Sequence, residues 1–192
     1  MRATILFVLL LASAPLAHAQ DTLKLAVGQR GNWEQSPPEL GQGAGIFRKH
    51  GLVLDILYTE GGGQTQQAVI SGSVDIGTGV GTYGVFGAFS KGAPLRIIGN
   101  STTGANDLYF YVPAASPIKS FHDLSGKTVA YSTTGSSTNL LVLGIARQFA
   151  VDLKPTATGS PPATFTQVMS GQVDVGWAAP PFGVQDAIDG RT

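Results

Sequence analysis

The sequence contains no cysteine. That excludes disulfides, thiolate nucleophiles, cysteine-held metals and a lipid-modified cysteine at a leader-cleavage point. Histidine is scarce, and beyond the first 19 positions only His50 and His122 remain. His50 reads as the end of a helix, where a cation is favoured, and His122 as part of a surface turn. Charged residues make up only 12% of the chain. No basic stripe appears, which argues against nucleic acid as a partner. There is no G-x-S-x-G elbow, no H-E-x-x-H pair and no G-K-[ST] phosphate loop. Carboxylates are scattered, and nothing points to a catalytic pair. No metal site or cofactor is expected.

Long apolar runs are also missing, with one exception. "TILFVLLLASA" (Thr4–Ala14) follows Arg2 and precedes the small-x-small signal "AHA" (Ala17–Ala19). The run is shorter than the ~20 apolar residues of a membrane-spanning helix and fits the core of a secretory leader. We therefore expect a signal peptide over 1–19, cleaved after Ala19, and a periplasmic location. Loss of Arg2 leaves 11 basic against 12 acidic residues.

Glycine, by contrast, is abundant, with 26 residues. It punctuates an alternation of strand-like and helix-like segments. Strands are expected at Leu23–Gly28, Leu52–Thr59, after Val74, and at Leu95–Thr102, Leu108–Pro113, Thr128–Thr133, in "PTATGS" and in "VDVGWAA". Helices are expected from Glu39 to about His50, over Gln64–Ile70, Thr82–Ser90 and about Ser136–Val151, from Pro161 to Met169, and from Phe182 to Ile188. Such alternation implies right-handed βαβ units and mostly parallel sheets flanked by helices.

One phrase is written twice. "SGSVDIG" starts at Ser71 and "SGQVDVG" at Ser170, with five of seven positions identical. Thr65 and Thr164 fall at the same offset in the two copies. The repeat implies two similar α/β lobes, which we place at 20–104 and 105–192. It also says where function should not be. Ligands of open parallel sheets bind beyond the carboxyl ends of strands, whereas Asp75 and Asp174 sit at the amino ends of theirs. Their expected task is to hold backbone N–H groups where helix turns into strand.

Six segments lie at strand carboxyl ends: "GQRGNW" (Gly28–Trp33), "EGGGQT" (Glu60–Thr65), the loop Thr78–Thr82, its counterpart Trp177–Pro180, "GNSTTGAND" (Gly99–Asp107) and "STTGSSTN" (Ser132–Asn139). In the last, Gly135 permits close approach and Ser136, Ser137 and Thr138 open a helix. Free N–H groups and the helix dipole there attract an oxyanion, and "GGGQT" (Gly61–Thr65) offers a second such cradle in the first lobe. Plain helix capping explains the same residues. Trp33 and Trp177, the only tryptophans, either wall a ligand pocket or pack in the core. Arg30 either meets an anion or is solvated.

Together "GIFRKHGLVLDIL", "EGGGQTQQAVISGSVDIGTG", "KGAPLRIIG", "DLSGKTVAYSTTGSSTN" and "SGQVDVGWAAPP" resemble the nitrate/sulfonate/taurine-type substrate-binding proteins of ABC importers. The resemblance implies a bilobal type II periplasmic-binding-protein fold with the ligand between the lobes. It also implies a monomeric, non-enzymatic receptor that passes its ligand to a membrane permease and ATPase. By the same resemblance, Gly135, Ser136, Ser137 and Thr138 match an anion-cradling turn. Gln64 and Thr65, and Thr78, Gly79, Gly81 and Thr82, match first-lobe cleft positions. Asn32, Trp33 and Trp177 fall on the cleft side. The chain is shorter than full members of the family. The expectation is that the second lobe and the return segment to the first are incomplete, leaving apolar surface exposed and stability poor. Two other readings stay open: a periplasmic ligand sensor, and an enzyme of pyrimidine synthesis on the same scaffold. The ligand is expected to be a small anion, with an aromatic acid or a pyrimidine also allowed.

Overall fold

The computed structural model describes residues 20–102 and 104–192. The leader expected over 1–19 lies outside the described residues. The fold is bilobal α/β. In the first lobe, β1 (Asp21–Gly28) runs between β2 (Leu52–Thr59) and β3 (Ile76–Thr78), all parallel. Leu25, Ala26 and Val27 are buried in succession, as befits a central strand covered on both faces. Leu25, Val27 and Leu54 form the lobe's core with Phe47, Ile56, Tyr58 and Ile76 packed against them. Three helices connect the strands: α1 (Pro37–Gly43), α2 (Ile46–Lys49) and α3 (Gly62–Ile70), with α4 (Thr82–Phe89) following β3.

The second lobe repeats the plan around β5 (Thr128–Tyr131), parallel to β6 (Lys154–Ala157) on one side. On the other side it touches the approach to β7 (Gly176–Ala178) through a parallel bridge, Val129 to Val175. Its helices are α5 (Ser137–Gln148), α6 (Pro161–Met169) and α7 (Val184–Ile188). Val129, Val142, Leu124, Ile118, Val151, Leu153 and Val175 form its main core.

The repeat expected from the duplicated phrase holds at the level of single hydrogen bonds. Thr65 and Thr59 share a hydroxyl contact of 2.6 Å, as do Thr164 and Thr158. Both inner threonines are wholly buried. Gly72 and Gly171 close the two helices with φ of 73° and 74°, a left-handed turn that glycine adopts without strain. The Asp75 carboxylate accepts the Lys24 N–H at 2.9 Å. The Asp174 carboxylate accepts the Thr128 N–H at 2.8 Å and its hydroxyl at 2.7 Å. Each aspartate thus fastens the turn that follows a helix to its lobe's central strand, the structural task expected of it. Burial opposes ionisation of Asp174, but the Thr128 donors and the Lys127 ammonium outweigh it and hold the carboxyl below its ordinary value.

Two expectations need correction. No strand forms at Leu95–Thr102. Leu95 is buried, but Arg96 to Asn100 are exposed and no ladder joins β3. The β-branched pair Ile97–Ile98 suits a strand, yet propensity does not hold one without a paired neighbour. The helix expected over 39–50 is split between α1 and α2, because Gly45 takes a left-handed φ of 70°. Within the expected mostly parallel plan, β4 (Tyr109–Tyr111) pairs antiparallel with β7, setting Phe110 opposite Trp177.

Candidate functional site

The carboxyl ends of the central strands face a common cavity of about 1270 Å³ between the lobes. The lobes touch directly beside it. The Gly63 N–H donates to the Thr133 hydroxyl at 2.9 Å, and the Trp33 N–H to the Pro180 carbonyl at 3.1 Å. Glycines allow the approach. A Cβ on Gly81 would lie 2.8 Å from the Ser137 hydroxyl oxygen, and one on Gly84 would overlap the Gly135 carbonyl.

The start of α5 is the best-furnished wall. Ser136 caps it, its hydroxyl accepting the Asn139 N–H at 3.2 Å. The Thr138 hydroxyl bonds those of Ser132 and Ser136 at 3.0 and 2.9 Å, and all three residues are buried. The Thr138 hydroxyl also accepts the Ser132 N–H at 2.9 Å. These groups hold the turn in shape. Gly135 takes a φ of 82° within that turn and donates its N–H to Asn139. Among the described residues, the Ser137 hydroxyl and the Ser137 and Thr138 N–H groups find no protein acceptor. They line the cavity, and such orphan donors at a helix start favour an anion.

Asn32 is the first-lobe counterpart of Ser136. It is 2% exposed and caps a short 3₁₀ turn (Trp33–Gln35), accepting the Glu34 N–H at 3.1 Å. Thr78, Gly79, Gly81 and Thr82 also line the cavity, as does Trp177. Trp177 is 1% exposed and its indole N–H has no partner. The Thr78 hydroxyl and one Asp107 carboxyl oxygen, both on the same cavity, are likewise buried and unpaired. Buried polar atoms without partners are uncommon and mark places where a ligand or water completes the bonding.

Four of the expected site residues lie elsewhere. Trp33 is 65% exposed and outside the cavity. The Thr65 hydroxyl is spent on Thr59 and the Gly61 carbonyl. The Gln64 side chain accepts the Glu60 N–H at 3.0 Å. Gly135 shapes the turn rather than lining the cavity. The Gly61–Gly63 segment, read as a possible second anion cradle, instead serves as an interlobe contact surface. Neither His50 nor His122 reaches the cavity: His50 ends α2, and His122 packs edge-on against Phe149 at 5.3 Å.

The sequence reading missed Glu34 and Asp107. Both line the cavity, and their carboxyls are neighbours. Burial, then the negative charge of Asp107 and a hydrogen bond with it, push the Glu34 carboxyl above its ordinary value. Asp107 ended a segment already marked as a strand carboxyl end. Glu34, one residue past another such segment, carried no local signal.

Two α/β lobes facing each other across a cleft at their strand ends define the fold of the periplasmic binding proteins. The NMT1/THI5-like family matches residues 39–185, and the chain belongs to that family. No curated protein matches it. Among solved structures it is similar to a Bordetella bronchiseptica protein (TM-score 0.71, 22% identity, 88% of this chain and 54% of the other). It is also similar to the alkanesulfonate-binding protein SsuA of Xanthomonas axonopodis pv. citri bound to MOPS (0.64, 21%, 88% and 58%). A third is the periplasmic aliphatic sulphonate binding protein SsuA of Escherichia coli (0.55, 23%, 88% and 55%). The chain spans little more than half the length of each. These likenesses establish the fold.

Proposed function

We propose that the protein is the periplasmic solute receptor of an ABC importer. It holds a small ligand with an anionic group between its lobes, 20–104 and 105–192, and delivers it as a monomer to a membrane permease and ATPase. The observation that carries this reading is the set of unpaired donors on one cavity: the Ser137 hydroxyl, the Ser137 and Thr138 N–H groups and the buried Trp177 indole N–H. Donors without acceptors, held in shape by a buried hydroxyl cluster, are preorganised for an oxyanion. The ligand classes of the two SsuA proteins, alkanesulfonate and aliphatic sulphonate, support that chemistry. The groups facing the cavity are donors and carboxyls rather than a nucleophile with a base, which favours binding over catalysis.

A thermal-shift panel tests it, with alkyl and aromatic sulfonates, nitrate, bicarbonate, aromatic acids and pyrimidines. A ligand at about 100 times its dissociation constant adds about 2.7 kcal/mol of stability. A shift confined to one ligand class, and lost in Ser137→Ala, is the expected outcome. A folded protein that no anion stabilises would overturn the reading.

A further inference from the structure

The glutamines divide according to where they lie. Among the described residues, five are not exposed: Gln29, Gln35, Gln42, Gln66 and Gln167. Gln42 and Gln167 lie off the cavity, and both engage the protein. Gln42 exchanges two hydrogen bonds with the Leu54 backbone, at 2.6 and 2.8 Å. The Gln167 amide donates to the Thr158 and Ala163 carbonyls, each at 3.3 Å. Gln29, Gln35 and Gln66 all line the cavity, and none of their side-chain amides has a hydrogen-bond partner among the described residues.

Gln35 is only 8% exposed, and an unpaired amide is uncommon at such burial. It packs on Gly79, where a Cβ would lie 2.7 Å from the Gln35 Oε1. Gln29 adds strain. Its φ is 63°, in the left-handed region that residues with a Cβ rarely adopt. The backbone is held there from both sides: its N–H donates to the Thr59 carbonyl at 2.8 Å, and its carbonyl accepts the Asn32 N–H at 3.3 Å. Glycine would take this φ without strain. A strained side chain on a cavity wall points to use of that side chain.

One backbone stretch relates these amides to the donors at the start of α5. Gln35 meets it at Gly79, and the Ser137 hydroxyl meets it at Gly81. Gln66, on α3, meets it at Gly84, where a Cβ would lie 3.4 Å from the Gln66 Oε1. Along Gly79–Gly84, Ser137 therefore falls between two unpaired amides.

An amide has no net charge and offers donors and an acceptor at once. Its complement is a group that does the same, and a carboxamide pairs with it through two N–H···O bonds. A purely apolar group would leave the amides unpaired. A second anionic end would meet Glu34 and Asp107, which line the same cavity.

We infer that Gln29, Gln35 and Gln66 form a neutral polar subsite, and that the ligand carries a carboxamide beside its anionic group. This rests on the receptor reading above and names the chemistry of the ligand's other end.

Isothermal titration of the chain with 3-amino-3-oxopropane-1-sulfonate and 3-methylbutane-1-sulfonate tests it. The second compound keeps the sulfonate and replaces the carboxamide by an isopropyl group of similar size. A site built to hydrogen-bond a group rejects the analogue that lacks it, so the carboxamide should bind at least tenfold tighter. In Gln35→Met and in Gln66→Met that ratio should fall towards one, with a cooperative thermal melt showing that each variant folds. Gln29→Gly should lower the ratio as well while raising the melting temperature, because it relieves the strain. Equal affinity of the wild type for the two sulfonates, or a preference for the isopropyl compound, would overturn the amide subsite and leave the receptor reading intact. A tenfold ratio that survives all three substitutions would overturn it too. Binding of neither compound would remove the anion reading of the cavity, and this inference with it.

Discussion

The Glu60 carboxylate accepts the backbone N–H of Ser160 at 3.0 Å, across the cleft and a hundred positions along the chain. Ser160 is the N-cap of α6, and its own side chain makes no capping bond. A carboxylate from the first lobe thus meets the positive end of a second-lobe helix, where negative charge is favoured. The contact exists only while the lobes are together. It is a latch.

Glu60→Gln should loosen that latch. Hydrogen bonds to charged groups contribute about 1.5–3 kcal/mol when shielded, and an exposed one less. We expect dissociation of a bound ligand to speed up about threefold to tenfold, with association little changed. Stopped-flow traces with the same dissociation rate as wild type would show that the contact contributes nothing to closure.

Gly84 and Gly87 lie on the same helix, α4, yet only Gly84 faces the second lobe. A Cβ there would overlap the Gly135 carbonyl, whereas nothing lies within 4 Å of one on Gly87. Gly87→Ala should raise stability by up to about 1 kcal/mol through helix propensity. Gly84→Ala gains the same propensity but should force the lobes apart and weaken ligand binding at least tenfold. Chemical melts together with titrations would separate the two. Equal effects of the two substitutions on affinity would contradict the close approach.

Ser136 and Ser137 are neighbours with different tasks. Ser136→Ala removes a helix cap and a member of the buried hydroxyl cluster, and should cost about 1 kcal/mol of stability. Ser137→Ala should leave stability within about 0.5 kcal/mol and reduce ligand affinity at least fivefold. The reverse pattern in paired melts and titrations would mean that the wrong hydroxyl has been assigned to the ligand.

Asp174 makes stability depend on pH in a definite direction. Its carboxyl is held below the ordinary value of 3.8 in the folded protein. Its contribution is therefore full above that value and is lost as pH falls through the lower, folded one. Asp174→Ala should cost about 1–2 kcal/mol at neutral pH, allowing for partial exposure. The gap to wild type should close as pH drops below about 4. Urea melts showing a constant gap from pH 7 to pH 3 would contradict this.

The sequence revealed the repeated parts best. Helix stop, aspartate and strand recur in one order, and the Thr65–Thr59 and Thr164–Thr158 contacts follow from that order. Local rules also placed the start of α5, because Gly-Ser-Ser-Thr after a strand has few other meanings. What depends on distant partners was not legible. Ile97 and Ile98 read as strand residues but find no edge to pair with. The two tryptophans both read as strand carboxyl ends, yet one is 65% exposed and the other 1%. Lobe packing decides that difference, and no local pattern encodes it.

The exposed and the buried tryptophan also supply the most direct test. In a Trp33→Phe variant the only indole left is that of Trp177, which lines the proposed ligand cavity and whose buried N–H is unpaired. Titration of this variant with propane-1-sulfonate should change its fluorescence saturably, and Ser137→Ala in the same background should shift the curve to at least fivefold higher concentration. A saturable heat of binding with no change in Trp177 emission would place the ligand outside the cleft and contradict the account.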